Sequence, residues 1–344
     1  MYEIPVEECA IGIPKAELHL HIEGTLEPGL VFETAGRNRI PLKYSSVDEL
    51  KAAYKFGDLK DFLKLYYECT NVLMKERDFY QLTRNYLRTA HSQNVVHTEV
   101  FFDPQAHMKR GVPFDAVFNG IYHALESAER ADGISSRLIM CFLRDLPAEY
   151  AMKTLELALP YKRCCGERFV AVGLDSYEVE NPPSRFKDVF DRARAEGFLT
   201  VAHAGEEGPP KYVQQALDDL KVSRIDHGNR AMEDPALVER VARERIPLTV
   251  CPLSNVKLQV VKGGMQNHPL RKMMDAGLMV TINSDDPAYF GGYLNENYMA
   301  VARALGLSRN DICTLARNSF EASFLPEEEK QKWTSRVNEY RQAN

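Results

Sequence analysis

Two histidines stand one residue apart in the run AELHLHIEG, residues 16–24. In a β-strand, side chains two positions apart lie on the same face, so His19 and His21 point the same way. Two imidazoles side by side in a closed core each bring a ring nitrogen that needs a partner. A metal ion would meet that need, because both lone pairs would become ligands. Two core histidines paired with carboxylates or backbone are the alternative, and the pair alone does not decide between them.

Other apolar runs end in side chains of the same kind. VAHAGEE offers His203 and Glu206, IDHGN offers His227, and INSDDP offers Asp285 and Asp286. A lone histidine on an apolar strand is usually a satisfied core residue, but here several strand ends would converge. Nitrogen and oxygen ligands suit zinc, with iron, manganese or cobalt as alternatives. Three histidines, one carboxylate and an open position for water are typical of a hydrolytic metal centre.

The remaining histidines predict no chemistry. They stand in helix-like segments, in mid-strand or in loops, and we interpret them as structural or solvated: His91, His97, His107, His123 and His268.

Eight β-type runs recur along the chain, and the segments between them are polar with helical spacing. The runs are AELHLHIEG, NVVHTEVFFDP, SRLIMCFLRDL, RFVAVGLDSYE, FLTVAHAGEE, SRIDHGNRA, IPLTVCPLSN and LMVTINSDDP. This alternation predicts an α/β fold, a (β/α)8 TIM barrel, in which chemistry lies at the carboxyl ends of the strands. A doubly wound open sheet is the alternative, but its Gly-rich phosphate turn after the first strand is absent.

The gap between the first two runs is long, roughly 70 residues, and contains LKDFLKLYYECTNVL. We predict extra helices inserted there after strand 1, over the barrel mouth, as a lid or pocket wall. Most of FLKLYY is expected in the core, with one or two residues in the wall. Residues 1–344 are predicted to form a single domain, with its core at about 12–325 and a C-terminal helix or tail at 326–344. Trp333 is expected to pack on the barrel exterior.

The composition excludes several classes of partner. A net charge of −6 and a pI of about 5.9 argue against binding a nucleic-acid backbone or an anionic membrane. No run approaches the ~18 apolar residues of a membrane span. The seven cysteines show no CxxC, and the N-terminus shows no secretory signal. We predict a reduced, cytoplasmic protein that can take a small neutral substrate. Nothing in the composition indicates an oligomeric state.

Seven segments resemble the adenosine/adenine deaminase branch of the metal-dependent amidohydrolases. They are AELHLHIEGTLEP, FFDPQAH, VGLDSYE, TVAHAGEEGPP, RIDHGNRA, TVCPLSNVKL and TINSDDPAYFGGYLNENY, in order along nearly the whole chain. GLDS, HAGEEGPP and NSDDPAYFGGY are most similar to the bacterial and fungal adenine deaminases, which act on the free base. The resemblance implies a zinc-dependent hydrolase of purine salvage that converts adenine to hypoxanthine and ammonia.

The resemblance also implies a role for each residue of the metal centre. Glu206 matches the acid that protonates purine N1, and His227 matches the residue that orients and activates the attacking water. Asp285 lies by the metal and, like His227, can take a proton from water. Protonation of N1 requires a carboxylic acid near neutral pH, so we expect a raised pKa for Glu206. The residues that match the zinc ligands are His19, His21, His203 and Asp285.

The predicted substrate contacts lie on other strand ends. Asp286 matches the carboxyl group at purine N7, where it would donate if protonated or accept from an N7–H tautomer if ionised. The segment from Gly173 to Ser176 matches the backbone near N3. Glu23 stands where adenosine deaminases carry the Asp that contacts ribose, which weakens the nucleoside interpretation. Tyr177 is bulkier than expected there, and leaves N6-substituted adenines open as substrates.

Rival functions are less well supported. An adenosine or N6-substituted adenine deaminase is the nearest alternative. Two-metal amidohydrolases carry a modified Lys at the end of strand four, and VGLDSYE has none. VCPLSN lacks the P-C-x-x-C signature of the other zinc deaminases. AMP deamination would need a Lys/Arg cluster near the motifs. A catalytically inactive barrel that serves as a binding protein should lack a ligand or the acid, and none is missing.

Overall fold

The structure is a computed structural model, and it describes residues 4–343. Residues 1–3 and 344 of the predicted domain range lie outside the described residues, and the predicted domain bounds stay a prediction. Eight parallel strands form one sheet in sequence order. The strands are β1 (Lys15–His21), β2 (Val95–Phe102), β3 (Ser135–Leu143), β4 (Phe169–Asp175), β5 (Leu199–Ala204), β6 (Arg224–His227), β7 (Leu248–Val250) and β8 (Val280–Ile282).

The sheet closes between its last and first strands. The Asp285 amide N–H donates to the His19 carbonyl oxygen (3.1 Å), and the His21 N–H donates to the Asp285 carbonyl (3.0 Å). Deeper in the barrel, the Leu18 N–H donates to Asn283 Oδ1 (2.8 Å). These bonds complete the predicted (β/α)8 barrel, and they join the backbone of one predicted ligand, Asp285, to that of two others.

Helices alternate with the strands as predicted. The helices are α1 (Val6–Gly12), α2 (Pro28–Asn38), α3 (Val47–Ala52), α4 (Leu59–Thr70), α5 (Glu76–Ser92), α6 (Pro104–Met108), α7 (Phe114–Asp132), α8 (Ala148–Cys165), α9 (Lys187–Ala195), α10 (Pro210–Asp218), α11 (Pro235–Arg243), α12 (Pro252–Lys257), α13 (Leu270–Asp275), α14 (Pro287–Phe290), α15 (Leu294–Leu305), α16 (Arg309–Glu321) and α17 (Glu327–Ala343). Between β1 and β2, α2 to α4 precede the outer helix α5, which confirms the predicted insertion. No helix of the described chain is long and apolar enough to cross a membrane.

Helix α4 covers the barrel mouth. Asp58 precedes its first residue, and the Asp58 side chain accepts the Asp61 N–H (2.8 Å) and so satisfies an unpaired amide of the first turn. The Phe62 ring packs on Tyr289 and Phe290 of α14, with centroids 5.5 and 4.7 Å away. This aromatic packing holds α4 above the carboxyl ends of the strands.

Apolar side chains fill the barrel below the mouth. Phe101, Ile139, Cys141, Ala171 and Val201 form one fully buried layer. This packed layer makes the barrel a solid support, so strand-end side chains project from a floor that has little freedom to move.

The C-terminal helix lies on the outside of the barrel. The Trp333 ring of α17 stacks on Phe320 of α16, with an interplanar angle of 12° and centroids 5.7 Å apart. Trp333 therefore packs where the sequence predicted.

Candidate metal centre and substrate pocket

The four predicted ligands meet at one point. His21 Nε2 lies 3.1 Å from His203 Nε2 and 3.5 Å from Asp285 Oδ1, and His19 Nε2 lies 3.2 Å from the same oxygen. All four residues are buried, and one ligand atom of each lies within 4.8 Å of the others. Strand β1 supplies two of the ligands, and the ends of β5 and β8 supply one each.

The Nδ1 atom of each ligand histidine faces a partner of its own. These outer partners occupy Nδ1, so each Nε2 lone pair is free to point at the shared centre. Within the described protein, His19 Nε2 has no hydrogen-bond partner although it is buried. A cation at the centre would satisfy this atom, so the residues present fit a metal ion. The Nδ1 contacts are His19 to Thr249 Oγ1 (2.9 Å), His21 to Asp175 Oδ2 (3.5 Å) and His203 to the Leu174 carbonyl oxygen (3.1 Å).

The charge states also suit a metal. Burial lowers the pKa of His21 to about 4 and holds that of His203 well below its ordinary value. Burial works to raise the pKa of Asp285, but the neighbouring histidines outweigh it and place that pKa well below its usual range. Metal ligation requires neutral imidazoles and an ionised carboxylate, so no proton has to be removed from these groups at neutral pH.

Three residues of the site have left-handed backbone conformations. The φ angles are 71° at Ser176, 65° at His227 and 65° at Asp285. Such angles cost a residue with a side chain roughly 1–3 kcal/mol and collect at functional sites. All three line the cavity described next, so the strained backbone aims their side chains at one space.

A cavity of about 380 Å³ lies above the ligands. Five carboxyl groups and no Lys or Arg line it. Five residues of α4 also line it, four of them within FLKLYY, so the prediction of one or two wall residues was wrong. The lining residues are His21, Leu59, Phe62, Leu63, Tyr66, Tyr67, Asp103, Asp175, Ser176, His203, Glu206, His227, Leu258, Asp285 and Asp286.

Glu206 stands beside the candidate metal ligands. Its Oε2 lies 3.6 Å from His227 Nε2, and its Oε1 is buried without a hydrogen-bond partner among the described residues. Burial, followed by the negative charge of Asp285, raises the pKa of Glu206 well above its ordinary value. This direction favours the protonated carboxyl group that the expected chemistry requires.

Glu178 holds the loop that carries Glu206, and the sequence analysis assigned it no role. Its buried carboxylate accepts the backbone N–H groups of Gly205 (2.7 Å), Glu207 (2.8 Å) and Gly208 (2.8 Å). Backbone amides that donate to a carboxylate form strong, directional bonds, so Glu178 fixes the loop on both sides of Glu206. The only signal in the sequence was a Glu three residues after the end of β4.

Asp286 leaves no room for a side chain at Gly24. A Cβ atom added at Gly24 would lie 2.1 Å from Asp286 Oδ1 and 2.6 Å from Asp286 Cα. The second contact is with backbone, which cannot rotate away. The short 3-10 turn Glu23–Thr25 therefore requires glycine for its close approach to Asp286.

Gly24→Ala is expected to displace Asp286 and to lower kcat/KM by about 100-fold, the effect of moving a binding group by about an ångström. Overpacking should also lower the free energy of unfolding by about 1–3 kcal/mol. Gly36→Ala, on α2, is the matched control because nothing lies within 4 Å of its added Cβ. Steady-state kinetics and thermal unfolding measure both effects, and wild-type kcat/KM for Gly24→Ala would contradict this account.

Three sequence-predicted positions lie off the cavity wall. A Cβ at Gly173 would lie 2.6 Å from Cys141 Sγ, within the apolar layer. Glu23 is buried, and its Oε1 accepts from His107 Nε2 (2.8 Å). The Tyr177 ring lies 5.7 Å from Lys60 Nζ, at the start of α4. Of the segment 173–176, Asp175 and Ser176 reach the cavity.

Comparisons with known proteins identify the family of the chain. A family model described as adenosine deaminase matches residues 14–340. The adenine deaminase of Acinetobacter baylyi is 58% identical over 332 residues, 96% of this chain and 98% of its own. That of Crocosphaera subtropica is 59% identical over 320 residues, 93% of this chain and 97% of its own.

Solved structures give the same result. The crystal structure of adenine deaminase from Arthrobacter aurescens matches with a TM-score of 0.93 and 46% identity, over 96% of this chain and 100% of that one. A zinc-bound amidohydrolase from Burkholderia ambifaria matches with a TM-score of 0.88 and 25% identity, over 100% of this chain and 96% of that one. The resemblance seen in the sequence is confirmed, and the chain belongs to the adenosine deaminase family.

Proposed function

We propose that the protein hydrolyses adenine to hypoxanthine and ammonia. The observation that carries this proposal is the buried Glu206 beside four converged candidate metal ligands, in a cavity walled by carboxyl and aromatic groups. Membership of the family makes the chain a metal-dependent hydrolase of C–N bonds. Relatives that share more than half of its residues over nearly its whole length are named adenine deaminase.

His19, His21, His203 and Asp285 would hold one zinc ion, for which iron, manganese or cobalt are alternatives. When bound, zinc lowers the pKa of water from about 16 towards 7 and so supplies a nucleophile at neutral pH. Glu206 donates its proton to purine N1, which makes C6 electrophilic. His227 orients the attacking water, and Asp285 Oδ2, 3.9 Å from His227 Nε2, is placed to accept a proton. That proton then leaves with ammonia, and the remaining hydroxyl proton returns to Glu206 as the C6 carbonyl forms.

Asp286 recognises N7 in its protonated form. Burial, followed by the charge of Asp285, raises the pKa of Asp286 well above its ordinary value. A raised pKa favours the protonated carboxyl group, which would donate to the N7 lone pair. Its Oδ1 is buried without a partner in the described chain, and N7 would supply one.

The charge of the cavity favours an uncharged base. Five carboxyl groups line it and no Lys or Arg of the described chain does, so the phosphate of a nucleotide would meet no permanent positive charge. Aromatic side chains of α4 offer flat apolar surface to a purine ring. Adenosine and N6-substituted adenines remain the alternative substrates.

An ultraviolet assay with adenine and adenosine in parallel tests the proposal. We expect the zinc-loaded protein to turn over adenine with a higher kcat/KM than adenosine, and the metal-stripped protein to turn over neither. Faster turnover of adenosine would overturn the assignment of adenine as the substrate. It would leave the proposed metal ligands unchanged. Inactivity with adenine, adenosine and N6-methyladenine would overturn the proposed function.

The proposed setting is purine salvage in the cytoplasm. All seven cysteines are free thiols in the described chain, five of them buried. Free thiols are typical of reducing compartments. We propose zinc as the working metal because nitrogen ligands dominate the site.

A further inference from the structure

His227 is linked to a second buried histidine through one amide side chain. His227 Nδ1 lies 3.3 Å from Asn255 Nδ2, and Asn255 Oδ1 lies 3.2 Å from His268 Nε2. His268 Nδ1 lies 3.1 Å from the backbone nitrogen of Leu270. All three side chains are buried, with exposed fractions of 1%, 0% and 3% in chain order. Water therefore does not compete for these contacts.

The direction of every bond in this chain follows from its last member. A backbone N–H can only donate, so His268 Nδ1 must accept from Leu270. A neutral imidazole has one accepting nitrogen, so His268 carries its proton on Nε2 and donates to Asn255 Oδ1. The Asn255 amide is thereby oriented, and its NH₂ group donates to His227 Nδ1. The reverse amide orientation would require two accepting nitrogens on His268, which the neutral ring does not have.

We propose that Asn255 and His268 are positioning residues that hold neutral His227 in its Nε2–H tautomer. Because Nδ1 of His227 accepts from Asn255, the ring proton lies on Nε2. That nitrogen faces the reaction space, 3.6 Å from Glu206 Oε2 and 3.9 Å from Asp285 Oδ2. His227 thus meets the attacking oxygen as a hydrogen-bond donor, and the first proton from water passes to a carboxylate.

The two tautomers of His227 would have opposite hydrogen-bonding roles toward the attacking water. With the proton on Nε2, the ring donates to one lone pair of the attacking oxygen and so orients that oxygen, without taking its proton. With the proton on Nδ1, the ring would accept a proton from water and compete with Asp285. A His held in the wrong tautomer loses most of its catalytic effect even when its position is unchanged. This role rests on the proposed function, whereas the tautomer itself does not.

Two substitutions at His268 separate positioning from structural support. His268→Gln keeps an oxygen to accept from Leu270 and an NH₂ group to donate to Asn255. His268→Leu has similar bulk but neither group, so Asn255 is free to rotate. We expect the Leu variant to lose roughly 10- to 100-fold in kcat, as is typical when an outer partner of a site is removed. We expect KM and metal content near wild type, and the Gln variant to retain activity.

Nitrogen-15 spectra of histidine-labelled, zinc-loaded protein without substrate report the tautomer directly. The signals of His227 are assigned from their loss in His227→Gln. We expect the Nε2–H pattern in wild type and in His268→Gln, and a mixed or Nδ1–H pattern in His268→Leu. A wild-type Nδ1–H pattern, or an unchanged spectrum in the Leu variant, would overturn the proposal. The wild-type spectrum stays decisive if the Leu variant fails to fold.

Failure of this inference differs from failure of the proposed function. An enzyme inactive with every aminopurine but showing Nε2–H at His227 would overturn only the function. An active enzyme with Nδ1–H at His227 would overturn only the positioning role.

Discussion

Glu206→Gln is expected to keep the fold and the metal but to lower kcat on adenine by about 10²- to 10⁴-fold, the usual contribution of a positioned acid. An amide has nearly the same shape as a carboxyl group but cannot deliver a proton to N1. Glu206 is not a predicted ligand, so metal content should stay at the wild-type value. Glu239→Gln, on the exposed face of α11, is the matched control.

The pH dependence of activity is a second test of the role of Glu206 as the acid. Burial and the charge of Asp285 raise the pKa of Glu206, so the active, protonated form persists to higher pH than for an ordinary glutamate. Activity should fall as pH rises through that raised pKa, and Glu206→Gln should remove this alkaline limb. Near-normal turnover of the variant would exclude Glu206 as the acid.

His19→Ala is expected to abolish tight metal binding. Removal of an outer partner of a metal site costs 10- to 100-fold in affinity, and loss of a ligand itself should exceed that roughly 100-fold effect. Activity should fall with metal content, and added zinc should no longer raise the unfolding temperature, because ligand-linked stabilisation depends on affinity. Elemental analysis after dialysis against a chelator, with thermal unfolding, measures both.

The matched control is His91→Ala, on the exposed face of α5. It removes the same imidazole far from the barrel mouth and should retain wild-type metal content. A His19→Ala protein that still holds one equivalent after the chelator step would remove His19 from the ligand set.

The sequence alone predicted the barrel and the meeting of its chemical groups. The repeat of strand and helix places every strand end at one mouth, and the period of a strand places His19 and His21 on one face. For that reason Glu206, His227 and Asp285 could be grouped although they lie far apart in the chain. Periodicity sets the direction of a side chain, and this is enough to define the contents of a strand-end site.

Only the tertiary structure decided which groups stand behind that site. The contacts that link Glu178, Asn255 and His268 to the site join positions 13 or more residues apart in the chain, and no spacing in the sequence predicts them. Glu23 and Gly173 do not line the cavity. Glu23 pairs with His107, and Gly173 faces the apolar layer.

The sequence likewise did not predict what the apolar face of α4 covers. Its apolar spacing predicted a helix, but whether an apolar face covers the core or a cavity depends on what lies beneath it. Here the aromatic side chains of α4 meet a space bounded by carboxyl groups, so that one face of the helix serves both packing and the pocket. Local patterns determine the element and its faces, and the assembled barrel determines what each face meets.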